Sequence, residues 1–411
     1  VLRGGGRTDD LARRSCRVRD EGRLIVPQPK HRIGDIECLR GVAVLMVVAY
    51  HVRTALFSWP MPLWDHIDTY YLEGWPGVDL FFAISGFVIA RTLLPELARS
   101  RQPARTMGAF WIRRFWRLVP SAWTWLAIIL VACIVFNRSG VWDSFHTNIG
   151  SAIAGVLSVA NFREAAAFGH FSYGPSSPYW SLSLEEQFYL SLPVVAYLAG
   201  RRLVPLLLAV TALVFALPYA PWVMMIRIHA VLLGVLLAIA SAQPAYRLFA
   251  PGFLRGRAWA GLLILVFVLL LIASLAPFAQ TITAYPLDLI AVLSAVLVFI
   301  ASHDQDFLFG YRPVRAVFTW LGTRSYALYL VHVPAFCAAR EFWLRLRPVG
   351  SGFGPHDMTR LLVTGMALLA IGAELNYRLI EVPLRRRGAR IAARLAADPV
   401  VPVAGTSLAA Q

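Results

Sequence analysis

Apolar runs of about 20 residues, the length needed to cross a hydrocarbon core of about 30 Å, recur along the whole chain with short polar breaks between them. Ten can be read, at 38–57, 77–94, 118–136, 181–199, 203–220, 223–241, 259–278, 284–302, 317–336 and 359–380. Each predicts a spanning helix. A further segment, 147–162, is only moderately apolar. It predicts a re-entrant or interfacial element, because an eleventh crossing would carry Arg201 and Arg202 away from the side on which the other arginine clusters fall. The expected fold is therefore all-α: a polytopic transmembrane helix bundle of about ten spans, with both termini cytoplasmic.

Composition agrees with the pattern. The chain has 411 residues, 58% of them hydrophobic and only 15% charged, which excludes a soluble globule. A net charge of +16 would suit a nucleic-acid binder, but the arginines lie between apolar runs and form no basic folded domain. They read instead as inward-facing loop residues, and no nucleic-acid partner is expected. Arg340, Arg345 and Arg347 break this rule. Cysteines 16, 38, 133 and 337 lack metal-ligand spacing, so neither a zinc site nor a disulfide framework is expected. Residues 1–33 read as a basic disordered cytoplasmic tail, 34–384 as one transmembrane domain, and 385–411 as a second basic, largely disordered tail. The external connections 58–76 and 163–180 are rich in Trp, Tyr, Pro and Gly, as interfacial anchors or as rings that stack on sugars.

Polar residues inside the apolar runs carry the candidate chemistry. In CLRGVAVLMVVAYH, Arg40 and His51 are eleven residues apart, which returns a helix to within roughly 20° of its starting direction after about 16 Å of rise. A cation and an imidazole thus share one stripe, at a cost in a membrane of several kcal/mol for a charged group at depth, roughly. The second run opens with Asp79 and continues to Ser85 and Gly86; Asp79 and Gly86 share a face, either as a carboxylate above a bare backbone patch or as a close helix contact. Arg114 and Arg117, at i, i+3 spacing, are either topology signals or phosphate ligands of the bidentate kind. In YWSLSLEEQFYL, beginning with Tyr179 and Trp180, the adjacent Glu185 and Glu186 diverge by about 100° on a helix. At most one of them meets a given partner, as an acid, a base or the orienter of an imidazole. Finally Arg324, Ser325, Tyr329 and His332 repeat the first span's polarity, basic at the inner end and imidazole at the outer.

Together these stretches resemble the acyltransferase family 3 of polytopic membrane O-acyltransferases, which modify bacterial polysaccharides, lipopolysaccharide, peptidoglycan, nodulation factors and some secondary metabolites. The resemblance covers about residues 34–384 and rests on the Arg40-to-His51 spacing, GVDLFFAISGF, the Arg114–Arg117 pair, WSLSLEEQFY and SYALYLVH. It implies an acyl-CoA donor, most often acetyl-CoA, a glycan or glycolipid acceptor, no metal, and a multi-pass location in the bacterial inner membrane. The appended extracellular esterase-like domain of some members is not expected here, and the acceptor is expected to meet the bundle or another protein. On that basis Arg40, Arg114, Arg117 and Arg324 are assigned to the CoA phosphates. His51 is assigned as general base, oriented by Glu186 or Asp79, with Trp180, Ser85, Tyr329 and His332 as substrate-binding or supporting residues. An acyl-histidine intermediate is the mechanistic alternative. A transporter using the same buried groups as a proton or substrate relay is the competing class. The sequence is silent on oligomeric state.

Overall fold

The computed structural model describes residues 33–57, 59–217, 227–279, 285–348 and 350–396. The expected tail through residue 32 and residues 397–411 lie outside them. Among the described residues the chain forms fifteen α-helices and no strand. The site is built from α1 (Gly34–His51), α3 (Gly77–Arg99), α4 (Pro103–Val135), α7 (Tyr179–Ala199), α9 (His229–Ser241), α12 (Arg312–Thr323), α13 (Ser325–Arg345) and α14 (Met358–Leu375). Among the described residues seven helices are long and apolar enough to cross a membrane, and they take in all of the expected runs but two. Of the run 223–241, the described part is the 13-residue helix α9.

The other exception, 317–336, is interrupted at Thr323–Arg324, where α12 gives way to α13. Every residue of α13 from Ala327 to Cys337 is buried. Its neighbours are protein rather than lipid, so it tolerates the polar groups that a lipid-facing helix excludes. Small residues let the central helices close up. A Cβ on Gly86 would lie 2.3 Å from the Val231 carbonyl oxygen, and one on Gly234 would lie 2.2 Å from that of Ala83, so α3 and α9 meet backbone to backbone. Gly86 is thus a close helix contact rather than an open patch.

Residues 145–167 form two short helices, α5 (Phe145–Val156) and α6 (Ala160–Ala167), each too short to span. They are joined at Ser158, which has φ +56°. The arginines that defied the charge rule have structural partners. Arg340 donates to the Ala55 carbonyl, Arg345 pairs with Glu341 at 2.7 Å, and Arg347 pairs with Asp357.

One expectation changes at the far end. Residues 385–396, assigned to a disordered tail, belong instead to a helix, α15 (Val382–Ala396), that packs along α4. Gly388 and Ala392 are buried, and a Cβ on Gly388 would lie 2.3 Å from Trp116 Cβ. The basic run looked fully solvated, but these two small residues, four apart, give the helix a face narrow enough to dock.

Candidate active site

The first span ends in a change of helical pitch. α1 passes at His51 into a π-helical turn, Val52–Leu56, a feature common at functional sites. The turn is tied down by Arg340 and by Arg53, whose guanidinium reaches the Phe57 carbonyl and pairs with Asp65. His51 Nδ1 lies 2.9 Å from the Val47 carbonyl oxygen. A carbonyl only accepts, so Nδ1 is the donor, and in the neutral ring the lone pair is on Nε2. His332 is built the same way: Nδ1 donates to the Tyr329 carbonyl at 2.6 Å, and the fully buried Nε2 has no partner. The two rings meet edge to face, with centroids 4.7 Å apart. The sequence placed both imidazoles at the same end of their spans, and here they are in contact.

Neither expected carboxylate orients His51; the Val47 carbonyl does. Asp79, 3% exposed, instead faces Arg227, with 3.5 Å between Oδ1 and Nε. The Arg227 guanidinium lies 4.5 Å from the Trp75 ring centroid and 4.9 Å from that of Trp180, and this cation–π contact is the role the structure gives Trp180. Glu186 accepts a hydrogen bond from the Ser158 hydroxyl at the α5–α6 break. Its neighbours do similar work: Gln187 Nε2 donates to the Ser158 carbonyl at 2.8 Å and to Asn161 Oδ1 at 2.9 Å, and the Ala160 amide donates to Ser183 Oγ at 3.1 Å. On the same hairpin, burial pushes the Glu164 carboxyl up to about 7, and the hydrogen bond from Ser177 at 2.8 Å works against that shift.

Between the imidazoles and the arginines lies a cavity of about 70 Å³. Arg40, Arg114 and Arg117, from two different helices, all line it, as the sequence expected of the cationic cluster. Arg40 is held by Glu37 at 2.7 Å. Arg114 and Arg117 make no ion pair among the described residues; Arg114 lies 5.1 Å from the Tyr189 ring centroid, and Arg117 Nε is buried without a hydrogen-bond partner. Ser85 lines the same space and donates to Glu185, as does the Tyr189 hydroxyl. The far wall carries Tyr329, whose hydroxyl donates to the Pro178 carbonyl at 3.1 Å and accepts from the Ser181 hydroxyl at 2.7 Å. The Tyr329 ring is 5.5 Å from that of His332, so the cavity ends one residue short of the imidazole pair. Arg324 does not join it. Its guanidinium is clasped by Glu374 at 2.5 and 3.2 Å.

The carboxylate in the cavity is therefore Glu185 rather than Glu186. Helical phase carried that signal, because Ser181, Glu185 and Tyr189 fall at i, i+4 and i+8 and all three line the cavity. Arg227 was missed for a different reason: it is a lone charge in an apolar run, and the acid it meets is on another helix. Among the described residues no three His, Cys, Asp or Glu side chains cluster as metal ligands would.

Fold and site together define a polytopic helical membrane protein with a buried arginine-lined cavity leading toward an imidazole pair. Residues 33–373 match the family described as Acyltransferase domain, and the chain belongs to that family. It is 29% identical over 393 residues to YrhL of Bacillus subtilis (strain 168), covering 88% of this chain and 56% of that protein. It is 28% identical over 384 residues to the peptidoglycan O-acetyltransferase OatA of Listeria monocytogenes, covering 87% and 56% respectively. For the O-acetyltransferase OatA of Staphylococcus aureus (strain NCTC 8325) the identity is 24% over 381 residues, covering 86% and 57%. The chain thus spans little more than half the length of these relatives. No solved structure matches it.

Proposed function

We propose that this chain is a membrane O-acetyltransferase of the bacterial cytoplasmic membrane, moving an acetyl group from cytoplasmic acetyl-CoA to a hydroxyl of a cell-envelope glycan. The observation that carries the reading is the cavity. It joins the Arg114 and Arg117 guanidinium groups, which make no direct ion pair among the described residues, to a passage too small for a whole drug-sized ligand, which needs roughly 300–1,000 Å³. A slim arm ending in a thioester suits such a passage, with the CoA phosphates held at Arg40, Arg114 and Arg117. Peptidoglycan, the acceptor in the name of the Listeria relative, is the first acceptor to try.

In this mechanism His51 is the general base. Its Nε2 lone pair takes the proton of the acceptor hydroxyl as that oxygen attacks the thioester carbonyl carbon. Collapse of the tetrahedral intermediate breaks the carbon–sulfur bond, and the departing thiolate recovers the proton from the imidazolium. The Val47 carbonyl fixes the tautomer throughout. His332, in edge contact, is the supporting group that packs the ring.

The test supplies labelled acetyl-CoA and a peptidoglycan-derived acceptor to membranes containing wild-type or His51→Ala protein at matched levels. Loss of at least about 10²-fold in transfer is expected for the variant. Retained transfer would remove His51 from the base role. No CoA-dependent transfer by wild type, with several glycan acceptors, would turn the same buried groups toward transport.

A further inference from the structure

The arginines of the final helix differ in their partners. Arg385 pairs with Glu381 at 3.4 Å, and upstream Arg378 and Arg324 share Glu374, whereas Arg386 is exposed and makes no ion pair among the described residues. Arg387, Arg390 and Arg394 pair with no acid among the described residues and are exposed. With Ile391 they line one open groove on the helix surface. At 100° per residue the three guanidinium-bearing positions fall within an arc of about 60°. The docked face, Gly388 and Ala392, lies roughly 100–140° around the helix from Arg387. The cationic stripe therefore runs along the shoulder of the α4–α15 contact, with Arg387 against α4 and Arg390 and Arg394 turned farther from it.

Its level relative to the bilayer follows from α4. The Arg387 guanidinium is 5.0 Å from the Trp116 ring centroid, and Trp116 stands two residues before the apolar run 118–136, where an indole anchors at the interface. Arg390 and Arg394 continue away from the apolar run, over about 10 Å of helix rise, within reach of long side chains that extend toward headgroups. The helix that carries them continues from α14 through a π-helical turn, Asn376–Glu381, and the whole stretch Pro355–Ala396 is 42 residues. At 1.5 Å per residue that is about 63 Å, roughly twice the hydrocarbon thickness, so its last turns lie outside the core.

We infer that Arg387, Arg390 and Arg394 form a binding site for the phosphate of an anionic phospholipid headgroup. Three bidentate donors along one exposed groove match a phosphodiester, and basic clusters directly beyond a spanning helix are recognised by anionic lipid. The inference is independent of the acetyl-transfer reading, and its test reads lipid rather than activity.

The purified chain is equilibrated in mixed micelles of phosphatidylglycerol and phosphatidylcholine, and retained lipids are counted by native mass spectrometry. Wild type should retain phosphatidylglycerol preferentially. Each arginine near an anionic surface favours it by about fivefold, so Arg387→Gln/Arg390→Gln/Arg394→Gln should lower the preference by at least about tenfold after screening. The exposed Arg101, Arg201 and Arg202, changed together to Gln, are the charge-matched comparison and should keep the preference; equal loss there would reduce the effect to net charge and overturn the site. Undiminished preference in the triple variant would overturn it too. Displacement of the lipid by millimolar inorganic phosphate would reassign the groove to a soluble phosphate ligand. The single change Arg394→Gln, near the free end of the helix, provides the same reading with a smaller loss if the triple variant does not fold.

Discussion

Arg117 stands just before one apolar run and Arg324 lies within another, and the sequence assigned both to one donor site. The structure separates them. Arg324 is held bidentate by Glu374 and flanked by the Trp320 and Tyr377 rings, at 4.6 and 4.7 Å. Arg117 lines the cavity with its Nε buried and unpartnered. A guanidinium with two carboxylate bonds and two aromatic faces is complete, and it clamps α13 to α14. A guanidinium that no carboxylate contacts directly keeps donors free for another acceptor, and so can take an anionic group that the saturated Arg324 cannot. The contrast separates a fold-holding arginine from a ligand-holding one, though the two are the same residue type in similar sequence surroundings.

The sharpest way to break that contrast is to neutralise the cavity pair. Arg114→Gln/Arg117→Gln should lower kcat/KM for acetyl-CoA by about 10²-fold or more, since a hydrogen bond to a charged group contributes roughly 1.5–3 kcal/mol, and the loss should fall mainly on KM. The unfolding temperature should change little, because neither guanidinium holds a carboxylate by a direct ion pair among the described residues. Initial rates against acetyl-CoA concentration decide it, and an unchanged KM would take the phosphates elsewhere.

Arg324 should behave oppositely. Arg324→Ala should destabilise the protein by about 2 kcal/mol, below the 3–5 kcal/mol of a fully buried pair because both side chains keep some exposure. KM for acetyl-CoA should stay within about twofold. A double-mutant cycle with Glu374→Ala measures the coupling. A raised KM at unchanged stability would return Arg324 to the donor site.

Much of the architecture was legible because spanning helices need long apolar runs, and eleven-residue spacing gives a stripe with few alternatives. Arg40, Arg114, Arg117, Ser85 and Tyr329 do line one cavity, and His51 does meet His332. What the sequence could not supply was pairing across helices. Asp79 looked available to His51 until Arg227 entered from a run whose only charge it is. The run 317–336 read as one spanning helix, yet it breaks at Arg324 and protein surrounds it from Ala327 onward to Phe336. The final basic helix looked solvated because its docking face is made of Gly388 and Ala392, which leave no hydrophobic signature.

The two adjacent glutamates give the finest version of the same contrast. Glu185 accepts from Ser85 and Tyr189 inside the cavity, whereas Glu186 accepts from Ser158 and helps hold the α5–α6 hairpin. Glu185→Gln keeps one acceptor oxygen but introduces donors where two hydroxyls already donate, so one hydrogen bond is lost at about 1 kcal/mol. That corresponds to roughly a fivefold fall in kcat/KM. Glu186→Gln should leave both kinetic constants within about twofold, while amide exchange around 156–162 speeds up by a similar small factor as the hairpin loosens. Steady-state kinetics and hydrogen exchange on the two variants read the two roles separately. If Glu186→Gln is the one that slows transfer while exchange at the hairpin stays put, the helical phase argument fails and the original choice of Glu186 stands.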